Sequence, residues 1–284
     1  MKISQIETQK KNYLDLEELY ALSAAYGNGM QRKEVMRLIA MPALVIGVML
    51  GLLTYLWWVV LIGMAFGAWY GYRKILPKIV QRRYETEALS ARNHFMNTMT
   101  QVMAGPSKTV IRSIEHILPR MRGELQTDMS ELVASLMIGA DMELVIETMA
   151  KLNEKYDEDV LFCQYLEQLE TTIHEGKHNV SSMQDLTKHH NDMLQKRKLF
   201  FAAKDDYLRG VKLMSTMIIG LIGMFHLSSY VMGNSFEMYI DGFARSILGY
   251  VTTGLYVPIY FLIINRFLKN YFDDSVMEVT VRTK

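Results

Sequence analysis

The chain has 284 residues and a mass of 32.8 kDa, room for one or two domains. Its net charge of +1 argues against a general nucleic-acid binder, and its single cysteine, Cys163, excludes an intrachain disulfide. Hydrophobic residues make up 50% of it, at the upper edge of the soluble range, and they are strongly segregated. No Asp, Glu, Lys or Arg occurs from Leu38 to Tyr72, from Leu213 to Phe236, or from Ser246 to Asn265.

Residues 1–37 are polar and charged with no apolar h-region, so no cleavable signal peptide is expected, and the segment reads as cytoplasmic. The window 38–72 follows. At about 35 residues it is too long for one crossing of a hydrocarbon core about 30 Å thick and slightly short for two full ones. Arg32, Lys33 and Arg37 precede it, and Arg73, Lys74, Lys78, Arg82 and Arg83 follow it. Positive charge stays on the cytoplasmic side, so the number of crossings is even. Two short helices turning near Thr54 to Trp58 fit, with Tyr55, Trp57 and Trp58 at the far interface; one long tilted helix is the alternative. Gly47 with Gly51, and Gly63 with Gly67, have GxxxG spacing, which favours close helix contact within the hairpin or between protomers.

The segment 73–212 is poor in glycine, and its prolines are Pro77, Pro106 and Pro119, a composition that favours helix. Apolar residues recur at helical spacing in Phe95, Met99, Val102 and Met103 and again in Leu132, Leu136 and Met137. Turn signals recur at Ala104-Gly105-Pro106, at Ile138-Gly139-Ala140-Asp141 and at Glu175-Gly176-Lys177-His178-Asn179. They predict three helix hairpins, with helices near 82–103, 107–118, 121–138, 142–153 and 157–174 and a long one from about 180. Gly105, Gly139 and Gly176 suit left-handed helix ends, Asp141 suits a cap, Ser181 with Gln184 matches a capping box, and Pro119 separates the hairpins. Many of the 22 methionines, among them Met96, Met99, Met103, Met129, Met137 and Met149, fall on apolar faces and read as adaptable packing; Cys163 reads as core.

The last helix is expected to run into a third crossing. Residues 213–266 then form a second membrane hairpin, with Lys204, Arg209 and Lys212 before it, Arg266 and Lys269 after it, and Glu237, Asp241 and Arg245 between. The tail 267–284 returns to the cytoplasm. The fold class expected is all-α: two transmembrane hairpins flanking a cytoplasmic six-helix bundle.

Little in the chain points to chemistry. His174 and His178, four apart beside Glu175, have zinc-ligand spacing on a continuous helix, but Gly176 breaks that helix and a solvated loop is favoured. His189 and His190 are adjacent, point in different directions and read as surface. His226 is the titratable side chain of its charge-free window; proton passage is the default hypothesis, yet a packed neutral histidine is favoured because no partner carboxylate accompanies it. GxxxxGK[ST], GxSxG and HExxH do not occur. No enzyme activity, cofactor or metal is expected.

The runs FMNTMTQVMAGPSKTVIRSIEHI (95–117), ELQTDMSELVASLMIGADMELVIETMAKL (124–152), FCQYLEQLETTIHEGKHNVSSMQDL (162–186) and HNDMLQKRKLF (190–200) resemble the type II secretion system F domain. The resemblance covers most of residues 38–270, in the manner of the single-domain platform proteins of tight-adherence pili. The second turn matches the family pattern with Gly139 and Met142, whereas the third has Lys177-His178 where the family usually has a second glycine and a small or apolar residue. The resemblance implies a multi-pass scaffold of the cytoplasmic (inner) membrane that couples a cytoplasmic ATPase to the assembly of pilins or pseudopilins. It implies an oligomer and a paralogous platform partner, while the net charge of +1 already speaks against nucleic acid. Glu143, Glu147, Lys177 and His178 are then candidate partner contacts, and the acidic run Glu143, Glu147, Glu154, Asp157, Glu158, Asp159 either docks a basic ATPase face or is simply solvated. The rival reading is a membrane transporter or channel subunit, for which His226 and Pro258 are the slender indications.

Overall fold

The computed structural model describes residues 21, 24–26, 30–105, 109–138, 142–176, 179–231 and 236–274, and every ordered element in them is helical. In chain order these are α1 (Arg32–Thr54), α2 (Trp57–Tyr70), a π turn (Gly71–Ile75), α3 (Leu76–Met103), α4 (Val110–Ile117), a 3-10 turn (Leu118–Arg120), α5 (Glu124–Ile138) and α6 (Met142–Lys155). Then follow α7 (Val160–Glu175), α8 (Val180–Val231), α9 (Phe236–Tyr239), a π turn (Ile240–Ala244) and α10 (Ile247–Tyr271). The described residues fall into two compact units, one within Met1–Met30 and Val80–Leu199, the other within Gln31–Ile79 and Phe200–Lys284.

In the first unit the amphipathic helices close over one core. Phe95, Met96 and Met99 of α3, Ile114 and Ile117 of α4, Met129 and Leu132 of α5, Met149 of α6, and Phe162, Tyr165, Leu166 and Leu169 of α7 are fully buried. Each such side chain contributes about 1.5–3 kcal/mol of burial. Phe162 meets Phe95 and Tyr156 edge-on, at centroid separations of 6.1 and 5.2 Å. Met137 departs from the expected packing and is 60% exposed. It sits one residue past Leu136, rotated about 100° from the face that carries Met129, Leu132 and Leu136.

Capping sets the helix starts. Thr109 accepts from the Arg112 N–H at 3.4 Å, and Asp159 accepts from the Phe162 N–H at 3.2 Å. The expected Ser181–Gln184 box is replaced by Asn179, which starts α8 two residues earlier by accepting from the Ser182 N–H at 3.3 Å. Pro119 lies in the 3-10 turn between α4 and α5, and Gly105 closes α3 by donating to the Val102 carbonyl at 3.2 Å. Gly176 ends α7 in the left-handed region, φ 65°, as expected of a C-terminal glycine. Gly139 and Asp141 lie outside the described residues. Gly123, unremarked in the sequence, is also left-handed (φ 70°), and the buried Tyr26 ring covers it so closely that a Cβ there would stand 2.3 Å from Tyr26 Cε1.

In the second unit, α1 and α2 are separate helices joined at Tyr55–Leu56, so the single long helix is excluded. Tyr55 turns the chain with φ 51°, and Thr54 closes the turn by donating to the Leu50 carbonyl at 2.8 Å and accepting from the Leu56 N–H at 3.4 Å. The glycines face inward across this hairpin. A Cβ on Gly47 would stand 2.4 Å from Met64 Cγ, on Gly63 2.4 Å from Leu50 Cδ1, and on Gly51 3.2 Å from Val60 Cγ2. On Gly67 it would stand 2.7 Å from both Ala43 Cα and the Pro42 carbonyl oxygen. At Gly67 the obstacle is backbone and cannot rotate away. Gly67→Ala is therefore expected to cost about 1–3 kcal/mol. Gly254→Ala, where nothing lies within 4 Å, is expected to be tolerated; thermal unfolding of both variants in one detergent checks this.

Three helices among the described residues are long and apolar enough to cross a membrane: Arg32–Thr54, the apolar part of Val180–Ser228, and Ile247–Tyr271. The 14 residues of α2 fall short of the roughly 20 that a crossing needs, and its helical path continues through the π turn to Arg73 and Lys74. Within the same unit Tyr70 donates to Asn265 Oδ1 at 2.9 Å, the Ser215 and Tyr260 hydroxyls lie 3.1 Å apart, and Lys204 pairs with Asp274 at 2.7 Å and with the Asp273 carbonyl.

Candidate functional site

The first unit holds a polar seam that runs from the buried Asp159 and His190 out to the exposed Asn191. Asp159 leaves the α6–α7 turn with its side chain 4% exposed, and two cationic or N–H partners converge on one of its oxygens: Arg92 Nε donates to Oδ2 at 2.7 Å, and His190 Nε2 lies 3.1 Å from it. The other oxygen takes the Phe162 N–H. Burial is the largest single influence and pushes the carboxyl up, but the hydrogen bond from His190 and the Arg92 guanidinium outweigh it and hold Asp159 below its ordinary range.

From His190 the seam continues as carboxamides. His190 Nδ1 lies 3.0 Å from Asn93 Nδ2, which also donates to Asn191 Oδ1 at 2.7 Å. Asn97 Nδ2 donates to Asn191 Oδ1 at 2.9 Å and to Asn93 Oδ1 at 3.1 Å, and Asn191 Nδ2 returns a bond to Asn97 Oδ1 at 3.0 Å. One turn on, Thr100 Oγ1 lies 2.9 Å from the Tyr165 hydroxyl and 3.1 Å from Thr187 Oγ1. Asn97, Thr100, Gln101, Gln184, Thr187, Lys188 and Asn191 line a groove of about 440 Å³ between α3 and α8, with Ala104 at its rim.

A second branch leads away from Arg92. The guanidinium lies 5.4 Å from the Tyr156 ring centroid, and the Tyr156 hydroxyl donates to Asp128 Oδ2 at 2.5 Å. Burial first, then this bond and the Asp128 charge, push the phenol well above its ordinary range. Lys155 bonds both Asp128 oxygens at 2.8 and 2.7 Å, and Tyr84 donates to Glu124 at 3.1 Å. The Cys163 thiol, half-buried and 3.1 Å from the Tyr156 carbonyl, is raised to about 11 by burial and then by the Asp159, Asp157 and Glu167 charges, so at neutral pH it stays a protonated packing group.

The structure corrects the surface reading of His190, which is wholly buried while His189 is exposed. It likewise removes Asp159 from the solvated acidic run, in which Glu143, Glu147, Glu154 and Asp157 are exposed. Glu147 pairs with Lys151, one helical turn on, at 2.9 Å. Lys177 and His178 lie outside the described residues. His174 faces Glu170 at 4.0 Å, and among the described residues no group of three or more His, Cys, Asp or Glu is placed to hold a metal. In the second unit His226 is buried, its Nδ1 2.6 Å from the Ile222 carbonyl and its ring 4.4 Å from Tyr239 and 5.6 Å from Tyr55, which is the geometry of a packed histidine. The Asp159–Arg92–His190 centre, Asn93, Tyr156 and Tyr26 carry no motif. The legible signal was spacing: Met183, Thr187 and His190 share one helix face, as do Asn93, Asn97 and Thr100.

The fold is therefore all-α, and among the described residues three helices are long and apolar enough to cross a membrane. The chain belongs to the family of an uncharacterized plasmid protein of Bacillus anthracis, to which it is 38% identical over 281 residues, spanning 98% of this chain and 99% of that protein. No protein-family model and no solved structure matches it.

Proposed function

We propose that the protein is a platform of the cytoplasmic membrane for a type IV-like pilus or type II-like secretion machine, joining a cytoplasmic ATPase to the assembly of pilins or pseudopilins. The observation that carries this reading is the order of elements: an apolar helical hairpin, a bundle of helix pairs, and one uninterrupted 52-residue helix, α8, that begins in the bundle pattern and ends in an apolar stretch. At 1.5 Å per residue α8 is about 78 Å long, more than twice what a bilayer core requires. In this reading the membrane is crossed four times, by α1, by α2 with its continuation, by the end of α8 and by α10. Basic flanks keep both termini and the bundle in the cytoplasm.

The test is capture of the detergent-solubilised full chain from its native membrane after mild crosslinking, with mass spectrometry of the partners. Recovery of a secretion-type ATPase together with prepilins or a second platform protein supports the proposal; their consistent absence overturns it. Glu143 and Glu147 are exposed on α6 and supply the acidic face for such an ATPase. Glu143→Lys with Glu147→Lys is expected to reduce ATPase recovery several-fold while stability changes by no more than about 0.5 kcal/mol. Unchanged recovery places the docking face elsewhere.

A further inference from the structure

The chain passes between the two units three times. Two of the passages, at Ile79–Val80 and Leu199–Phe200, lie inside the unbroken helices α3 and α8. The other runs through Met30 and Gln31, which belong to no helix, and Tyr26 shortly precedes it. Tyr26 is 6% exposed, whereas Ala21, Ala24 and Ala25 beside it are exposed. Among the described residues before Met30 it is the one buried side chain.

The ring stands in a notch that the bundle builds without it. Gly123 forms the floor: it precedes α5 with φ 70°, and its carbonyl accepts from the Gln126 N–H at 3.2 Å. A Cβ there would stand 2.3 Å from Cε1, 2.5 Å from Cζ and 2.6 Å from Cδ1 of Tyr26, so glycine is what leaves the room. Tyr84 of α3 forms the wall, edge-on at a centroid separation of 5.9 Å, and its own bond to Glu124 holds it there. The Tyr26 hydroxyl takes the Glu124 backbone N–H, a donor with no partner inside its own helix. Burial first, then the Glu124 charge, raises that phenol to about 12, so it stays neutral at neutral pH.

We infer that Tyr26 is a latch, an aromatic peg in a glycine-floored notch, which fastens the non-helical link between the units to the bundle and releases it without unfolding the bundle. Burial of one aromatic side chain favours the closed state by roughly ten- to hundredfold, which leaves about 1–10% of the chains open. Opening breaks none of the bonds that shape the notch: Gly123 keeps Gln126, Tyr84 keeps Glu124, and water takes the Glu124 N–H. Closed, the bundle grips the chain just before α1; open, α3 and α8 are the links that remain. The latch rests on packing within the first unit and is independent of the platform proposal.

The experiment is chymotrypsin digestion of the folded full chain in lipid nanodiscs, with mass spectrometry of the fragment that begins at Gly27. Chymotrypsin cuts after tyrosine, so the bond after Tyr26 is cut while the peg is out, at a rate that follows the open fraction. In Gly123→Ala, whose methyl evicts the ring, cutting is expected to be about ten- to hundredfold faster than in the unaltered chain. Gly176→Ala is the control: its φ of 65° brings the same backbone strain with nothing within 4 Å, and cutting after Tyr26 is expected to keep the unaltered rate. Tyr84→Ala removes the wall while leaving Gly123 in place and is expected to speed cutting several-fold, which decides the matter if Gly123→Ala does not fold. Far-ultraviolet circular dichroism of each variant checks that the bundle is intact. Equal rates in Gly123→Ala and Gly176→Ala, or an unchanged rate in Tyr84→Ala, would overturn the inference. So would an unaltered chain that is cut after Tyr26 only at denaturant concentrations that unfold the bundle.

Discussion

Replacement of Asp159 by alanine is expected to lower the stability of the helical bundle by roughly 3 kcal/mol, the lower end of the 3–5 kcal/mol typical when one member of a buried ion pair is removed. The lower end applies because the Arg92 side chain, 16% exposed, keeps some contact with water once its partner is gone. His190 has no such recourse, being fully buried, and α7 also loses the cap that Asp159 provides, itself worth about 1 kcal/mol. The measurement is denaturant unfolding of the full chain in detergent, followed by far-ultraviolet circular dichroism. Lys151→Ala, which removes an exposed pair with Glu147, serves as control and should leave the unfolding midpoint where it is.

The same pair makes a pH prediction. Asp159 is held below its ordinary carboxyl range in the folded chain, so its contribution is fully present above the unfolded value of about 3.9 and fades as pH falls through the lower, folded value. The unaltered bundle is thus expected to lose stability on the acid side of pH 4, and the Asp159→Ala variant to show a shallower loss there. Equal slopes for the two proteins would mean that Asp159 is not the carboxylate whose protonation matters.

The helices were legible because their signals are local. Gly105 and Gly176 punctuate a repeating 3.6-residue pattern, and the expected helices near 107–118 and 157–174 are observed at Val110–Ile117 and Val160–Glu175. The Tyr55 turn fell where a charge-free window of about 35 residues had to fold back. The seam was not legible, for the opposite reason. Asp159 finds Arg92 67 residues away and His190 31 residues away, and nothing in the neighbourhood of any of the three announces the others. Asp159 sat in an acidic run and was grouped with residues that are in fact solvated. His190 was judged against His189 beside it, although the face that mattered was set by Met183 and Thr187, seven and three residues back.

Substitution of Tyr207 by proline is expected to break α8 at a cost of about 3 kcal/mol or more, since proline removes the backbone N–H that bonds residue 203 and drives its ring into that carbonyl. The Tyr207 side chain is 74% exposed, so the phenol itself contributes little and Tyr207→Ala isolates the backbone effect. Residue 207 lies outside the core of the first unit, which is why the seam and the packing around Phe95 and Phe162 should survive, with the Asp159-dependent acid profile unchanged. If α8 transmits ATPase motion to the membrane helices, the proline variant should still be recovered with the ATPase and yet assemble no filament, whereas the alanine variant assembles normally. Filament assembly by a stable, membrane-inserted Tyr207→Pro protein would show that the unbroken helix is not the transmitting element, and the search would then turn to the α2–α3 connection, where a π turn lies at Gly71–Ile75.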